Sequence, residues 1–211
     1  MSLLPSLRFP GALGALLALV ACQAGSVTSV VPAPASSAAH AGAPAASSGV
    51  ANVDAAVNQS VNFADWGISG GFSAMPLTQL LALHPQLASY QQAFVHAAAQ
   101  ASPAIPPQLL VAICLQESSG GLDLSGYGGP FQFSDDSAWA AYGPPGADRN
   151  DMASAAIGAA NYIAAELKAK KGDLNAALRA YNGPIANGGK PTYQAEIQRW
   201  MQGELVYGAG A

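Results

Sequence analysis

The chain of 211 residues predicts an all-α domain, with at most a small β element, behind a long N-terminal tether. Three observations predict it. From about Ala74 onward, apolar residues recur at helical spacing between recognisable caps. No stretch between Ala74 and Ala211 reads as a sustained strand. Upstream, from Gln23 to Phe72, the chain is mostly Ala, Ser, Gly, Pro and Val, with only Asp54 and Asp65 charged. Charged residues make up 9% of the whole chain and the net charge is −4, against about a quarter charged in an ordinary soluble domain. No Lys or Arg lies between Arg8 and Arg149, which excludes a basic nucleic-acid groove built from the first two-thirds of the chain. Two cysteines and three histidines are too few for a disulfide framework and make a structural zinc site a poor fit.

The elements follow in order. Residues 1–21 read as a signal peptide: Arg8 precedes the apolar run Ala12 to Ala21, which is about half the ~20 residues a membrane span requires. Leu19-Val20-Ala21-Cys22 resembles a bacterial lipobox, which implies acylation of Cys22 and anchorage of the chain to a lipid bilayer. Gln23 after it resembles the default signal for the periplasmic face of an outer membrane, where the organism has one; otherwise the outer face of the cell membrane or secretion is expected. Residues 22–72 read as a flexible tether whose apolar content cannot offset the ~1–2 kcal/mol per residue that ordering its backbone costs. Phe63, Trp66 and Phe72 stand out in it as a possible arm docking on the domain.

Residues 73–211 form the domain. Leu77, Leu80, Leu81 and then Leu87 to Phe94 carry helical spacing, broken at Pro85. His84 and His96 in this region read as packed or solvated side chains. Pro106-Pro107 opens a second helix, on which Leu110, Ile113, Cys114 and Glu117 share one face, and Gly120-Gly121 stops it. A short helix is expected from Asp135 to Tyr142. A longer one follows Asp151 as N-cap, runs to Lys171 and stops at Gly172. Asp173 caps the next, with Leu174, Ala177, Leu178 and Tyr181 inward, until Asn182-Gly183-Pro184 breaks it. A last helix spans roughly Thr192 to Leu205.

Glu117 is the residue with chemistry in it. It lies on an apolar stripe with no cation near it in sequence, a position that desolvates the charged form and raises the pKa, unless the side chain turns outward at the helix end beside Ser118 and Ser119. A carboxylic acid kept neutral near pH 7 is what general-acid catalysis on a glycosidic oxygen requires. Gln116-Glu117-Ser118-Ser119-Gly120-Gly121 resembles the catalytic "ES" segment of lytic transglycosylases, in the lysozyme-like superfamily. Gly129-Pro130-Phe131-Gln132-Phe133 is similar to their second motif, in the Gly-Pro-x-Gln-Phe version of the membrane-bound B-type and actinobacterial group. Ser137 to Gly143, Asn150 to Ile163 and Ala177-Leu178-Arg179-Ala180-Tyr181-Asn182-Gly183 resemble further segments in the same order. The resemblance covers about half the chain.

It implies a lysozyme-like domain that cleaves peptidoglycan glycan strands between N-acetylmuramic acid and N-acetylglucosamine, leaving 1,6-anhydro ends, without metal or organic cofactor. It names no protein partner. Glu117 would be the acid and base. Ser118 would orient its carboxyl or contact sugar, and Gln132 would bind a substrate amide or hydroxyl. Tyr181 would sit near Glu117, and Asn182 would hold the turn or the N-acetyl group. Trp139 and Tyr142 read as core packing, whereas Tyr127 is open to either role. A two-carboxylate mechanism would need a partner among Asp123, Asp135, Asp136, Asp148 and Asp151, none of which matches a catalytic position of the family. Three departures stand out: the loop from Gly121 to Gly129 is short, Phe131 replaces the usual Met with a bulkier ring that either narrows the cleft or fills the same pocket, and residues 184–191 form an insertion before the last helix. The rival readings are a wall-binding lipoprotein without turnover and a hydrolytic muramidase.

Overall fold

The computed structural model describes residues 57–205, apart from 67, 69, 70, 134, 135 and 185–188. The signal peptide, Cys22 and the tether as far as residue 56 lie outside them. Seven α-helices are present among the described residues: α1 (Leu77–Leu83), α2 (Gln91–Gln100), α3 (Pro107–Ser118), α4 (Asp136–Tyr142), α5 (Met152–Ala169), α6 (Leu174–Asn182) and α7 (Tyr193–Gln202). A 3-10 turn, Pro85–Tyr90, joins α1 to α2, as the break expected at Pro85 requires. The only sheet among them pairs β1 (Val61–Asn62) antiparallel with β2 (Ser73–Ala74), Val61 opposite Ala74. No described helix is long and apolar enough to cross a membrane.

Several helix ends follow from local chemistry. Asp151 accepts a hydrogen bond from the Ser154 amide at 2.8 Å, and Asp173 accepts one from Ala176 at 2.9 Å, so both are working N-caps. Gly203, at φ 72°, closes α7. α3 is the centre of the fold. Every residue from Pro107 to Leu115 is buried, so the helix is apolar all round rather than striped. It lies against α7 on one side and α2 on another, while α5 packs along α2 and α6. Glu117 therefore sits where a wholly buried helix first emerges, a stronger constraint than the single apolar face the spacing implied.

The boundary between tether and domain moves. Val57, Phe63 and Ile68 are buried, and Phe63 stacks on Phe72 with centroids 4.8 Å apart. The Gln108 amide on α3 donates to the backbone carbonyls of Gln59 at 3.3 Å and Met75 at 3.4 Å, tying this arm to the core. Residues 57–72 thus belong to the domain, and the expected start at residue 73 is corrected to no later than Val57. The aromatic trio supplies the reason: a fully buried Phe is worth roughly 1.5–3 kcal/mol, enough to offset ordering of the few residues that carry it.

Candidate active site

Glu117 faces a cleft of about 520 Å³ between α3, α6 and the start of α7, with the Gly-rich loop before α4 forming one wall. Gln116, Tyr127, Gln132, Tyr181, Asn182, Lys190 and Tyr193 line it with Glu117. Tyr193, the first residue of α7, donates its phenol proton to Glu117 Oε1 at 2.5 Å. That bond leaves Oε2 as the oxygen free to carry a proton. Burial pushes the Glu117 carboxyl up to about 7; the Tyr193 hydrogen bond and the nearby Lys190 charge each pull it partway back. Burial, and next the Glu117 charge, hold the phenols of Tyr181 and Tyr193 well above the ordinary tyrosine range, so both stay donors.

The other residues expected at the site divide. Tyr181 does lie close to Glu117, but its hydroxyl is committed to the Phe131 carbonyl at 2.8 Å, and its ring packs on Phe133 and Tyr162. It fixes the cleft wall. Ser118 is a correction: it is buried and holds the loop rather than the carboxyl or a sugar. Its hydroxyl sits 2.6 Å from the Pro130 carbonyl and 3.1 Å from that of Cys114, and it accepts from the Gly121 amide at 2.8 Å. Adjacent positions on a helix point about 100° apart, which is why Ser118 turns inward where Glu117 turns out. Asn182 takes the first of its two expected roles. Its side chain exchanges two hydrogen bonds with the Lys190 backbone, both 2.9 Å, and so closes the loop between them.

Gln132 does line the cleft, with its amide pinned to the Gly129 carbonyl at 2.9 Å. The glycines around it are forced by close approach. A Cβ at Gly126 would lie 2.4 Å from Gln132 Oε1, and one at Gly129, where φ is 71°, would lie 1.9 Å from the Arg149 carbonyl oxygen. Phe131 is fully buried, so its ring fills the core and does not narrow the cleft. Trp139 packs edge-on against Phe133, and Tyr142 stacks on Tyr162, both as packing residues. Tyr127, by contrast, is 63% exposed on the cleft rim, an aromatic face open to solvent.

Among the described residues lining the cleft, Glu117 is the only carboxyl. Asp123 is fully exposed and bonded to Ser125, and Asp151 is spent on its cap. Cys114 is buried and its thiol is pushed up to about 12, chiefly by burial, so it is no nucleophile. No group of three or more His, Cys, Asp or Glu that could hold a metal ion occurs among the described residues.

Two contributors were missed in the sequence. Tyr193 shares a helical face with Ile197 and Met201, and a tyrosine on such a face needs a buried partner for its hydroxyl; that signal was available. Lys190 sits in the insertion, where nothing local points to the cleft. Gln116 adds a brace: it donates to Glu196 at 2.7 Å and accepts from the Trp200 indole at 2.8 Å, clamping α3 to α7 beside Glu117. No protein-family model, no curated protein and no solved structure matches the chain.

Proposed function

We propose that the protein is a lytic transglycosylase of peptidoglycan working with one carboxyl group. The observation that carries the reading is Glu117: a half-buried acid, neutral up to about pH 7, alone of its kind in a cleft rimmed by an aromatic ring and amides. Protonated on Oε2, Glu117 delivers its proton to the glycosidic oxygen as the bond to the muramyl anomeric carbon breaks. The muramyl N-acetyl oxygen attacks that carbon and gives a cyclic oxazolinium. The carboxylate then removes the proton of the C6 hydroxyl, O6 displaces the acetamido oxygen, and a 1,6-anhydro ring closes. Glu117 ends protonated, as it began. A second carboxyl, as hydrolysis by a pair requires, is not among the described residues of the cleft.

Digestion of purified sacculi followed by mass analysis tests it. The expected fragments carry 1,6-anhydro ends and lack the mass of an added water. Fragments with reducing ends, formed with water uptake, point instead to a muramidase. Loss of all cleavage in Glu117→Gln is expected for either; full activity of that variant sinks both.

A further inference from the structure

A second cavity, of about 700 Å³, adjoins the cleft. The two share Ala180, Asn182, Gly183, Pro184 and Lys190, so they are neighbouring chambers on either side of the Asn182–Lys190 clamp. The charge of the second chamber is one-sided. Lys170, Arg179 and Lys190 line it, three of the eight cationic side chains of a chain whose net charge is −4, and no carboxylate does among the described residues. Lys170 has one partner outside the lining, Glu166 at 3.6 Å, in an exposed contact of little strength. Arg179 and Lys190 form no ion pair among the described residues. Like charges gathered in a concave wall focus a positive field on whatever enters.

We infer that this chamber binds the carboxylates of the peptide stem on the muramyl residue whose glycosidic bond lies at Glu117. The inference rests on the reading of the cleft as a glycan site. The chemistry fits: the stem leaves the sugar through a lactyl ether, is short, and carries free carboxylates. Lys190 lines both chambers, so a stem crossing the rim at Asn182 and Pro184 meets cations at once. Arg179 offers a planar fork for a carboxylate, and Gln194, also in the lining, offers an amide to the peptide backbone.

Binding of glycan fragments to the full chain carrying Glu117→Gln tests the inference, because that chain does not consume them. Fragments with stems should bind about tenfold more tightly than the same fragments stripped by an amidase, and salt should shrink the difference. Adding Arg179→Gln and Lys170→Gln, both on exposed side chains, should abolish the preference and leave binding of stripped fragments unchanged. Equal affinity for both fragment types, or a preference that survives the two substitutions, overturns the proposal. Products of the native chain on stripped strands report on Glu117 separately. Anhydro ends with no stem preference remove the chamber's role alone; a stem preference without cleavage removes the catalytic reading and leaves the chamber as a peptide site.

Discussion

At the scale of single residues, the acidity of Glu117 sets the pH range expected of the proposed reaction. Only its protonated form donates, so kcat/KM on glycan should fall as pH rises through about 7. Lys190 holds that value down; Lys190→Gln should move the falling limb to higher pH, read from a pH–rate profile. Tyr193→Phe removes another lowering influence and the orientation of the carboxyl together. It should shift the limb the same way and cut kcat by about 10²-fold, while KM changes little. The same burial bears on stability with a definite sign. An unfolded Glu ionises near pH 4.3, so between there and about 7 the folded state holds the extra proton and stability falls as pH rises. Glu117→Gln should therefore stabilise the fold by up to about 3–4 kcal/mol at pH 8, and by much less at pH 4, in denaturant titrations.

At the scale of elements, the loop after α3 is held by Ser118, and Ser118→Ala should show it. The Gly121 amide and Pro130 carbonyl lose their partner, at a cost of about 1–3 kcal/mol in unfolding free energy. Turnover per folded molecule should persist, since Ser118 does not reach the carboxyl. The helices were legible in the sequence because most of their ends are written locally, Asp151 and Asp173 as caps and Pro107 in a first turn; the last helix, expected to reach about Leu205, instead ends at Gln202, where Gly203 takes a left-handed φ of 72°. Glu117 was legible for the same reason, as a charge amid apolar neighbours. The helical face of Tyr193 showed only that its hydroxyl needs a buried partner; that the partner is Glu117 was not legible, because the bond spans 76 residues and exists only once α7 lies on α3. Ser118 was misread because a serine next to a candidate acid says nothing about which way each side chain turns.

For the molecule as a whole, the arm before β2 was the least legible part. Phe63, Trp66 and Phe72 stood out as a candidate docking arm, but in an Ala-, Ser- and Gly-rich background with no period, so the extent of the packed segment shows only in the burial and the Phe63–Phe72 stacking. Removing residues 1–50 should leave the melting temperature nearly unchanged, whereas removing 1–72 takes Val57, Phe63 and Ile68 out of the core. The longer deletion should lower the melting temperature by about 10 °C or more in a thermal scan. The braces from Gln116 to Glu196 and Trp200, and from Tyr193 to Glu117, meet on one helix, α7, far along the chain from the carboxyl they serve. A chain in which α7 has not docked leaves the carboxyl open to water, where it gives up its proton at neutral pH. The neutral acid that the proposed reaction draws on therefore exists only while that one helix is seated.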